Sequence, residues 1–392
     1  MMTVLYILDY GTVGGATKAF QWLVEEMKLL GVTPIVVTGG YNDFNRILEE
    51  SGVRTIAAGH FTAIDTFSFK SKKWLYTLLK KWLRYHIKEH LALRKLSHAV
   101  DFVHIDLIHT NSARNTLGCR LSKKYGIPHV VHIREFGDKD FGCIRLTPDY
   151  IRILNEGTDS FLSVSQSVRE YWNSRGINTA KNHLLYDGVR YDDISVSASE
   201  SKRNSGLRMV INGGVCTPKW QHLAVEAIGL LPDCVRKNIS LDIVGWYDKK
   251  YVSYLRGYAK DKGYSDKIRF LGSRDDVHER MGEYQIGLMC SRSEGFGLVT
   301  VEYMHGQLGV IASDSGACPE LVTDKQTGLI FKSGDPKDLA RCIERLYNDR
   351  NLLVRLSENA RAEAVKRFTS AINARNIYEM YKKVIENKNQ EI

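Results

Sequence analysis

The sequence predicts an α/β protein of two doubly wound parallel-sheet domains, and three observations support this fold class. Short apolar runs alternate with segments of helical periodicity, and a glycine-rich turn follows the first run. The chain has 392 residues, about twice the usual domain length. A polar segment of small residues near the middle separates two such series. We therefore expect two Rossmann-like domains that face each other across a cleft.

The first domain is expected over residues 1–194. Val4–Leu8 is an apolar run, the turn Gly11–Gly15 follows it, and the next residues carry apolar side chains at helical spacing. A strand, a glycine turn, a helix and a second strand form the usual opening of a parallel α/β domain. The predicted strands are Val4–Leu8, Pro34–Thr38, Leu107–His109, His129–Ile133, Phe161–Val164 and Leu184–Tyr186.

Residues 195–205 (SVSASESKRNS) are expected to link the domains, because they are small, polar and without periodicity. The second domain is expected over 206–365, and residues 366–392 are expected to form a helix that packs back on the first domain. The predicted strands are Met209–Ile211, Leu241–Val244, Ile268–Leu271, Ile286–Met289 and Gly309–Ala312, with helical segments near 219–231, 249–262 and 297–307. Open parallel sheets bind ligands at the carboxyl ends of their strands, so the facing strand ends are the predicted site.

Composition excludes several classes of protein. No run of 18 apolar residues is present, so no membrane-spanning helix is expected. The first apolar run has no basic region before it, unlike a secretory signal. The seven cysteines are scattered without a CxxC pair, which favours reduced thiols in a cytoplasm and gives no metal-binding pattern.

The segment Ser291–Met304 (SRSEGFGLVTVEYM) carries the strongest chemical signal. Glu294 lies at a predicted strand-to-helix crossover, and Glu302 follows eight residues later inside the helix. Unpaired N–H groups at a helix N-terminus suit a phosphate, and Gly295 and Gly297 would allow a ligand to approach the backbone closely. Carboxylates accept paired hydrogen bonds from vicinal sugar hydroxyls. The alternative is that Glu294 is only an N-cap and Glu302 a surface residue.

This segment resembles the E-x7-E signature of family 4 retaining glycosyltransferases, which have the GT-B fold, and the resemblance covers nearly the whole chain. Other segments resemble further motifs of this family. Gly11–Ala16 resembles its N-terminal glycine turn, Asp187-Gly188-Val189 resembles its N-G-V motif, and Lys219 resembles its phosphate-binding lysine. Phe270-Leu271-Gly272 resembles the F-x-G turn near the nucleotide base, and Gly316–Pro319 with Glu320, Gly328 and Phe331 resembles the G-x-x-E and G-x-L-x tail. The Glu motif is specific, whereas the other likenesses are supportive.

The resemblance implies a nucleotide-sugar donor, a retained anomeric configuration and no need for a bound metal. The implied catalytic residues are Glu294, Lys219 and His132, and the implied donor-binding positions are Gly14, Gly15, Gly213, Gly272, Phe296, Gly297, Leu298, Val299 and Glu302. Glu294 would bind donor-sugar hydroxyls and Glu302 the ribose, while the N–H groups of Leu298 and Val299 would hold the diphosphate. Lys219 would neutralise the leaving phosphate.

One departure from the family concerns the phosphate site. The family has Gly-Arg before the lysine, whereas this chain has Gly213-Gly214. A lysine does not replace the bidentate phosphate contact of an arginine. Either another cation substitutes, with Arg134 and Arg292 as candidates, or activity is impaired.

A second candidate site follows the strand His129–Ile133. His132 lies at the end of this strand, and Arg134 and Glu135 follow it. The family resemblance implies that a histidine here contacts the donor sugar from the acceptor side. Family members that assemble polysaccharides often carry H-x-R-E at this point. Pairing of Glu135 with Arg134 is the structural alternative. Asp138-Lys139-Asp140 is formally a D-x-D metal motif, but tripeptides of this kind are common by chance.

The third feature is the segment 70–95, which holds nine Lys or Arg residues against Glu89. Trp74, Leu75, Leu78, Leu79, Trp82 and Leu83 fall on one helical stripe, and Lys72, Lys73, Lys80 and Lys81 fall mostly outside it. A basic helix with tryptophan on its apolar side suits an anionic membrane surface. The alternative is a core helix with a solvated basic face. Nucleic acid is not expected, since no recognised binding module accompanies the patch.

Together these features predict a cytoplasmic hexosyltransferase on the inner face of the cell membrane. It would move a sugar, from UDP-sugar or a related donor, to a glycan or polyprenyl-linked glycan during capsule, exopolysaccharide or lipopolysaccharide assembly. Two alternatives stay open: a GT-B sugar-nucleotide epimerase, and a catalytically weak subunit that recruits a transferase to the membrane. The absent arginine at Gly214 favours the last of these.

Overall fold

The computed structural model of the chain describes residues 2–9, 14–67, 73–137, 142–198, 200 and 206–390. Contacts group these residues into two compact units. The first unit runs to Asp187 and resumes with the helix that begins at Ser370, and the second unit is Gly188–Thr369.

The first unit contains a seven-stranded, wholly parallel sheet in the order β3-β2-β1-β5-β6-β8-β9. The strands of this unit are β1 (Met2–Ile7), β2 (Val32–Thr38), β3 (Arg54–Ala57), β4 (Ile64–Thr66), β5 (Leu107–Thr110), β6 (His129–Ile133), β7 (Cys143–Arg145), β8 (Ser160–Ser163) and β9 (Asn182–Leu184). Its helices are Gly15–Leu29, Asp43–Glu50, Trp74–Ala99, Leu117–Tyr125, Tyr150–Glu156, Gln166–Ser174 and Ser370–Gln390. β4 and β7 form a separate antiparallel pair.

The apolar strands of the first sheet are buried because helices cover both faces. One cluster joins Val4 and Tyr6 of β1 to Phe20 of the first helix and to Ile377 and Tyr381 of the last helix. A second cluster on the opposite face joins Leu5 and Ile7 to side chains that include Ala92 and Leu96. Alternation of side chains along β1 thus supplies both faces of the sheet.

The second unit contains a six-stranded, wholly parallel sheet in the order β12-β11-β10-β13-β14-β15. Its strands are β10 (Leu207–Asn212), β11 (Ile239–Val244), β12 (Ile268–Gly272), β13 (Ile286–Met289), β14 (Gly309–Ser313) and β15 (Leu329–Phe331). Its helices are Gln221–Leu230, Asp233–Arg236, Lys249–Asp261, Leu298–His305, Cys318–Leu321, Pro336–Asn348 and Arg350–Arg367. Because all strands of this sheet are parallel and joined by crossover helices, their carboxyl ends lie at one edge of the sheet.

The division of the chain differs in detail from the sequence-based boundaries at 194, 205 and 365. The two units divide after Asp187, so residues 188–194 belong to the second unit. The start of the expected linker also packs there, since Ser195 N–H donates to His278 O and Ser197 N–H donates to Gly306 O. Residues 199 and 201–205 lie outside the described part of the chain. The last helix begins at Ser370 and is grouped with the first unit.

Candidate functional site

An ion pair marks the carboxyl edge of the second sheet. Lys219 lies in the turn after β10, and its Nζ is 2.7 Å from Oε2 of Glu294, which follows β13. β10 and β13 are neighbours, so their crossover turns meet at this edge. The side chains of Lys219 and Glu294 are 39% and 15% exposed, so solvent and ligands can reach both. The sequence predicted both residues as a site, and the fold brings them together.

The backbone around Glu294 is held by two close glycine positions. Gly297 has φ 91°, a left-handed conformation that side chains disfavour, and it caps the helix Leu298–His305. A Cβ at Gly316 would collide with the backbone of Glu294, whose carbonyl accepts a hydrogen bond from Ala317 N–H at 2.9 Å. These contacts hold the backbone of Glu294 close to the start of the helix Leu298–His305.

The N-terminus of the helix Leu298–His305 offers the features expected of an anion site. Leu298 and Val299 are half-buried, and among the described residues no side chain caps the first turn. The buried hydroxyl of Thr300, together with that of Ser293, lacks a hydrogen-bond partner among the described residues. Phe296 is buried, with its ring 6.0 Å from that of Phe368 and at a steep angle to it. Phe296 can therefore offer a ligand its backbone but little of its ring.

Glu302 is a buried carboxylate and not a surface residue. Its Oε1 is 3.1 Å from Nε2 of His278, and its Oε2 lies 3.5 Å from Nδ2 of Asn212 at the end of β10. Sequence reasoning missed both partners, because neither shares a motif or a segment with Glu302. The arrangement orients the carboxylate toward the same sheet edge that carries Lys219.

The glycine turn before Lys219 is occupied by an aromatic ring. A Cβ at Gly214 would lie 2.7 to 2.8 Å from three indole atoms of Trp246. Gly213 and Gly272, the other predicted turn positions, both have positive φ. Arg292 is exposed, and its backbone N–H donates to Pro218 O at 3.2 Å, so it lies beside Lys219. It therefore remains a candidate for the missing phosphate cation.

Thiols near this edge are poor nucleophiles. Burial raises the pKa of Cys318 to about 12, and the Glu294 carboxylate adds to that effect. Burial also raises the pKa of Cys290 to about 12. Since the thiolate is the reactive form, neither cysteine would be ionised near neutral pH.

The first unit holds a buried polar cluster at the end of β6. Arg134 forms an ion pair with Asp187, and each side chain is only 5% exposed. Its Nε donates to Asn111 Oδ1 at 2.8 Å, and its Nη2 donates to His132 Nδ1 at 3.3 Å. An arginine can only donate, so the His132 proton must be on Nε2, which lies 3.8 Å from Asp187 Oδ1. Burial, with a smaller effect of Arg134, lowers the pKa of His132 well below its usual value.

This cluster bears on two alternatives that the sequence left open. Arg134 does not pair with Glu135, whose Oε1 accepts from Ser112 Oγ at 2.8 Å. Arg134 is also a poor replacement for the phosphate-binding arginine, because its guanidinium is committed to Asp187 inside the first unit. His132 is fully buried, so its contact with a sugar stays a prediction. Burial raises the pKa of Asp187 despite the opposing effect of Arg134.

The other predicted positions of the first unit are only partly described. Gly14 and Gly15 are exposed at the start of the first helix, where Thr17 Oγ1 donates to Gly14 O. Asp138 and Asp140 lie outside the described residues. Among the residues that are described, no cluster of three or more His, Cys, Asp or Glu side chains could hold a metal ion.

The helix Trp74–Ala99 turns its apolar stripe outward. Its leucine and isoleucine side chains are 49% to 63% exposed at every fourth position: Leu75, Leu79, Leu83, Ile87 and Leu91. Trp74 and Trp82 are also exposed. The opposite face is buried, where Glu89 pairs with Arg120 at 2.8 Å and accepts from Thr116 Oγ1 at 2.6 Å. A core helix with a solvated basic face would have the reverse arrangement.

Only some of the basic residues share the exposed side. Lys73 and Lys80 are exposed, and Lys72 lies outside the described residues. Lys81 was expected to face a membrane, but its Nζ is 2.6 Å from Asp65 Oδ2 and 2.7 Å from Thr66 O. It therefore ties the helix to β4. In the described ranges, no helix has the length and apolar character needed to cross a membrane.

Two units, each with a wholly parallel main sheet, are the architecture of the GT-B class of glycosyltransferases. Sequence comparison agrees: residues 13–193 match the profile described as Glycosyltransferase Family 4, and residues 196–363 match that of Glycosyl transferases group 1. Together the two matches cover most of the chain. The chain belongs to glycosyltransferase family 4 and is a glycosyltransferase.

Curated relatives include an enzyme of lipopolysaccharide core biosynthesis and a putative glycosyltransferase. The lipopolysaccharide core biosynthesis mannosyltransferase LpcC of Rhizobium leguminosarum is 38% identical over 58% of this chain and 63% of its own length. The putative glycosyltransferase EpsD of Bacillus subtilis is 29% identical over 74% of this chain and 79% of its own.

Solved structures confirm the fold. HepE of Anabaena, in complex with UDP and glucose, superposes with a TM-score of 0.77 at 20% identity, over 98% of this chain and 100% of that one. Sucrose-phosphate synthase of Thermosynechococcus elongatus superposes with a TM-score of 0.73 at 18% identity, over 99% of this chain and 100% of that one.

Proposed function

We propose that this chain transfers a sugar from a UDP-sugar to a glycan or lipid-linked glycan acceptor during assembly of a bacterial surface polysaccharide. The observation that carries the proposal is the Lys219–Glu294 pair beside the N-terminus of the helix Leu298–His305. The name of LpcC, a lipopolysaccharide core mannosyltransferase, supports the choice of pathway class, and the UDP bound to HepE supports the choice of nucleotide.

The donor site follows from charge and hydrogen bonding. The diphosphate binds the first N–H groups of the helix, at Leu298 and Val299, where the helix dipole favours negative charge. Lys219 leaves its contact with Glu294 and binds the phosphate on which charge develops. The Glu294 carboxylate then accepts hydrogen bonds from donor-sugar hydroxyls, and Glu302 accepts those of the ribose. These charges stabilise the departing nucleotide without a bound metal.

We propose a retaining reaction without an enzymic nucleophile. The bond between the anomeric carbon and the diphosphate oxygen breaks while the acceptor oxygen attacks from the same face. The acceptor proton passes to the leaving phosphate oxygen, so no covalent sugar–enzyme bond is needed. The high pKa of the nearby Cys290 and Cys318 thiols is consistent with this route.

The assay is hydrolysis and transfer with purified protein, scanned over several nucleotide sugars. A transferase releases UDP and yields an acceptor glycoside whose α or β configuration matches the donor, as read by NMR. Conversion of the donor sugar to its epimer without UDP release would instead establish the epimerase. UDP-sugar binding without any turnover would favour the recruiting subunit.

The exposed stripe supports a place at an anionic lipid surface. Leu75, Leu79 and Leu83 would enter the headgroup boundary, and exposed Lys73, Lys80 and Arg84 would attract acidic lipids. Each such cation contributes about 1 kcal/mol of attraction near the surface. The buried Glu89 carboxylate, paired with Arg120, holds the helix in this orientation.

Vesicle sedimentation tests the membrane proposal. Replacement of Lys73, Lys80 and Arg84 with Gln should reduce binding to phosphatidylglycerol vesicles and make the remaining binding less sensitive to salt. The matched control replaces three exposed lysines of the second unit, at 249, 250 and 260, with the same loss of charge. If both triple variants sediment like the wild type, this helix does not dock on lipid.

A further inference from the structure

Two aromatic side chains form a platform across the edge of the second sheet. Trp246 and Tyr247 follow β11, and their side chains are 60% and 42% exposed. Tryptophan is highly buried on average in folded proteins, so an indole left largely in solvent at this edge is accessible to a ligand. The platform lies in the same row of strand ends as Lys219 and Asn212, where open parallel sheets bind ligands.

The platform is rigidly held. Val215 N–H donates to Trp246 O at 2.7 Å, and Asp248 N–H donates to Val215 O at 3.0 Å, so the turns after β10 and β11 are joined. The indole lies against Gly214, where any Cβ would come within 2.8 Å of it. The ring therefore occupies the space that a side chain at position 214 would need.

Strand order sets the direction in which a donor would extend. Glu294 follows β13, and Glu302 contacts Asn212 at the end of β10, the neighbour of β13. A ligand held by both carboxylates therefore runs from the end of β13 toward β10. The next strand in that direction is β11, which carries Trp246, and β12 follows, where Tyr247 lies against Gly272.

We propose that the exposed indole of Trp246 stacks on the nucleobase of the donor and that Gly214 is required to make room for it. The inference rests on the proposed function, because the base belongs to a UDP-sugar. Every base has a planar π face, and stacking on an aromatic side chain binds it without hydrogen-bond readout. Where the family has an arginine that binds phosphate, this chain has Gly214, and the space beside it holds the Trp246 indole that contacts the base.

Separate fragments of the donor test the assignment. Trp246→Ala should weaken UDP and UMP about tenfold, the effect of removing one stacked ring, and leave inorganic pyrophosphate unchanged. Trp246→Phe should retain most of the affinity, yet lose the quenching of tryptophan fluorescence that UDP causes in the wild type. Lys219→Ala is the opposite control, since it should weaken pyrophosphate and UDP. Calorimetry gives the affinities, and the exposed position of Trp246 allows folded variants.

A second pair of variants tests the steric claim. Gly214→Arg should reduce thermal stability or UDP affinity because its side chain collides with the indole. Gly214→Arg combined with Trp246→Ala should recover stability and bind pyrophosphate at least as tightly as the wild type. The assignment is refuted if Trp246→Ala binds UDP like the wild type, or if Gly214→Arg alone is as stable and as tight as the wild type. Failure of the wild type to bind UDP would instead refute the proposed function.

Discussion

The buried ion pair between Arg134 and Asp187 should make the first unit depend on one carboxylate. Asp187 stands where the family motif has Asn, so Asp187→Asn is both conservative in shape and typical of the family. In this chain it would leave the Arg134 guanidinium buried without a counter-charge, because that side chain is only 5% exposed. We expect a folded protein with clearly lower stability.

The size of the loss follows from the burial of both partners. Removing one member of a buried ion pair costs about 3–5 kcal/mol. The asparagine carbonyl can still accept a hydrogen bond from Arg134, so the lower end, about 3 kcal/mol, applies to this variant. For a unit of this size, that loss corresponds to a fall of about 6–12 °C in Tm.

Thermal and urea unfolding of the variant measure the effect. Arg134→Gln and the double variant complete a cycle in which the double variant should be more stable than the sum of the single losses predicts. Glu379→Gln is the matched control, because Glu379 pairs with Lys382 on an exposed helix face and its loss should change the midpoint little. An unchanged midpoint for Asp187→Asn would show that the pair is not a stabilising element.

Three further predictions follow from the site and from the buried histidines. Lys219→Ala should lower kcat at least about a hundredfold in a donor-hydrolysis assay, the loss expected for one preorganised charge; a loss under tenfold would assign the phosphate to Arg292. Turnover should persist in EDTA, since Lys219 and the helix N-terminus balance the diphosphate charge; complete loss restored by manganese would revive Asp138 and Asp140 as metal ligands. Burial lowers the pKa of His129 to about 4, so below pH 6.5 the unfolded chain takes up a proton that the folded chain does not. Its contribution to stability is therefore complete above pH 6.5 and lost between about 6.5 and 4, by about 1.4 kcal/mol per pH unit. Urea unfolding at pH 7.5 and pH 5 measures this slope, which His129→Gln should reduce.

Much of the fold follows from local pattern. Apolar runs such as His129–Ile133 and Ile286–Met289 coincide with the observed strands, because buried parallel strands need continuous apolar residues. The edge strands Arg54–Ala57 and Leu329–Phe331 were not predicted from the sequence. These segments have only four and three residues, too few for a clear apolar pattern.

The site was predictable only where residues share a segment. Glu294 and the adjacent helix N-terminus follow from one motif. Partners that are distant in sequence, such as His278 for Glu302 and Asp187 for Arg134, become neighbours only through strand order. The outward stripe on the helix Trp74–Ala99 shows the same limit, because periodicity defines a stripe but not the side that is buried.

The central claim is that the Lys219–Glu294 pair acts on a nucleotide sugar, and Glu294→Gln tests it most directly. The substitution keeps the size of the side chain, but it removes the charge that pairs with Lys219 at 2.7 Å. Turnover of the preferred UDP-sugar at saturation should fall by about a hundredfold or more. UDP affinity should stay the same or rise, because Lys219 is then released to the phosphate. Turnover close to that of the wild type, at saturating donor and with an unchanged fold, would contradict the account.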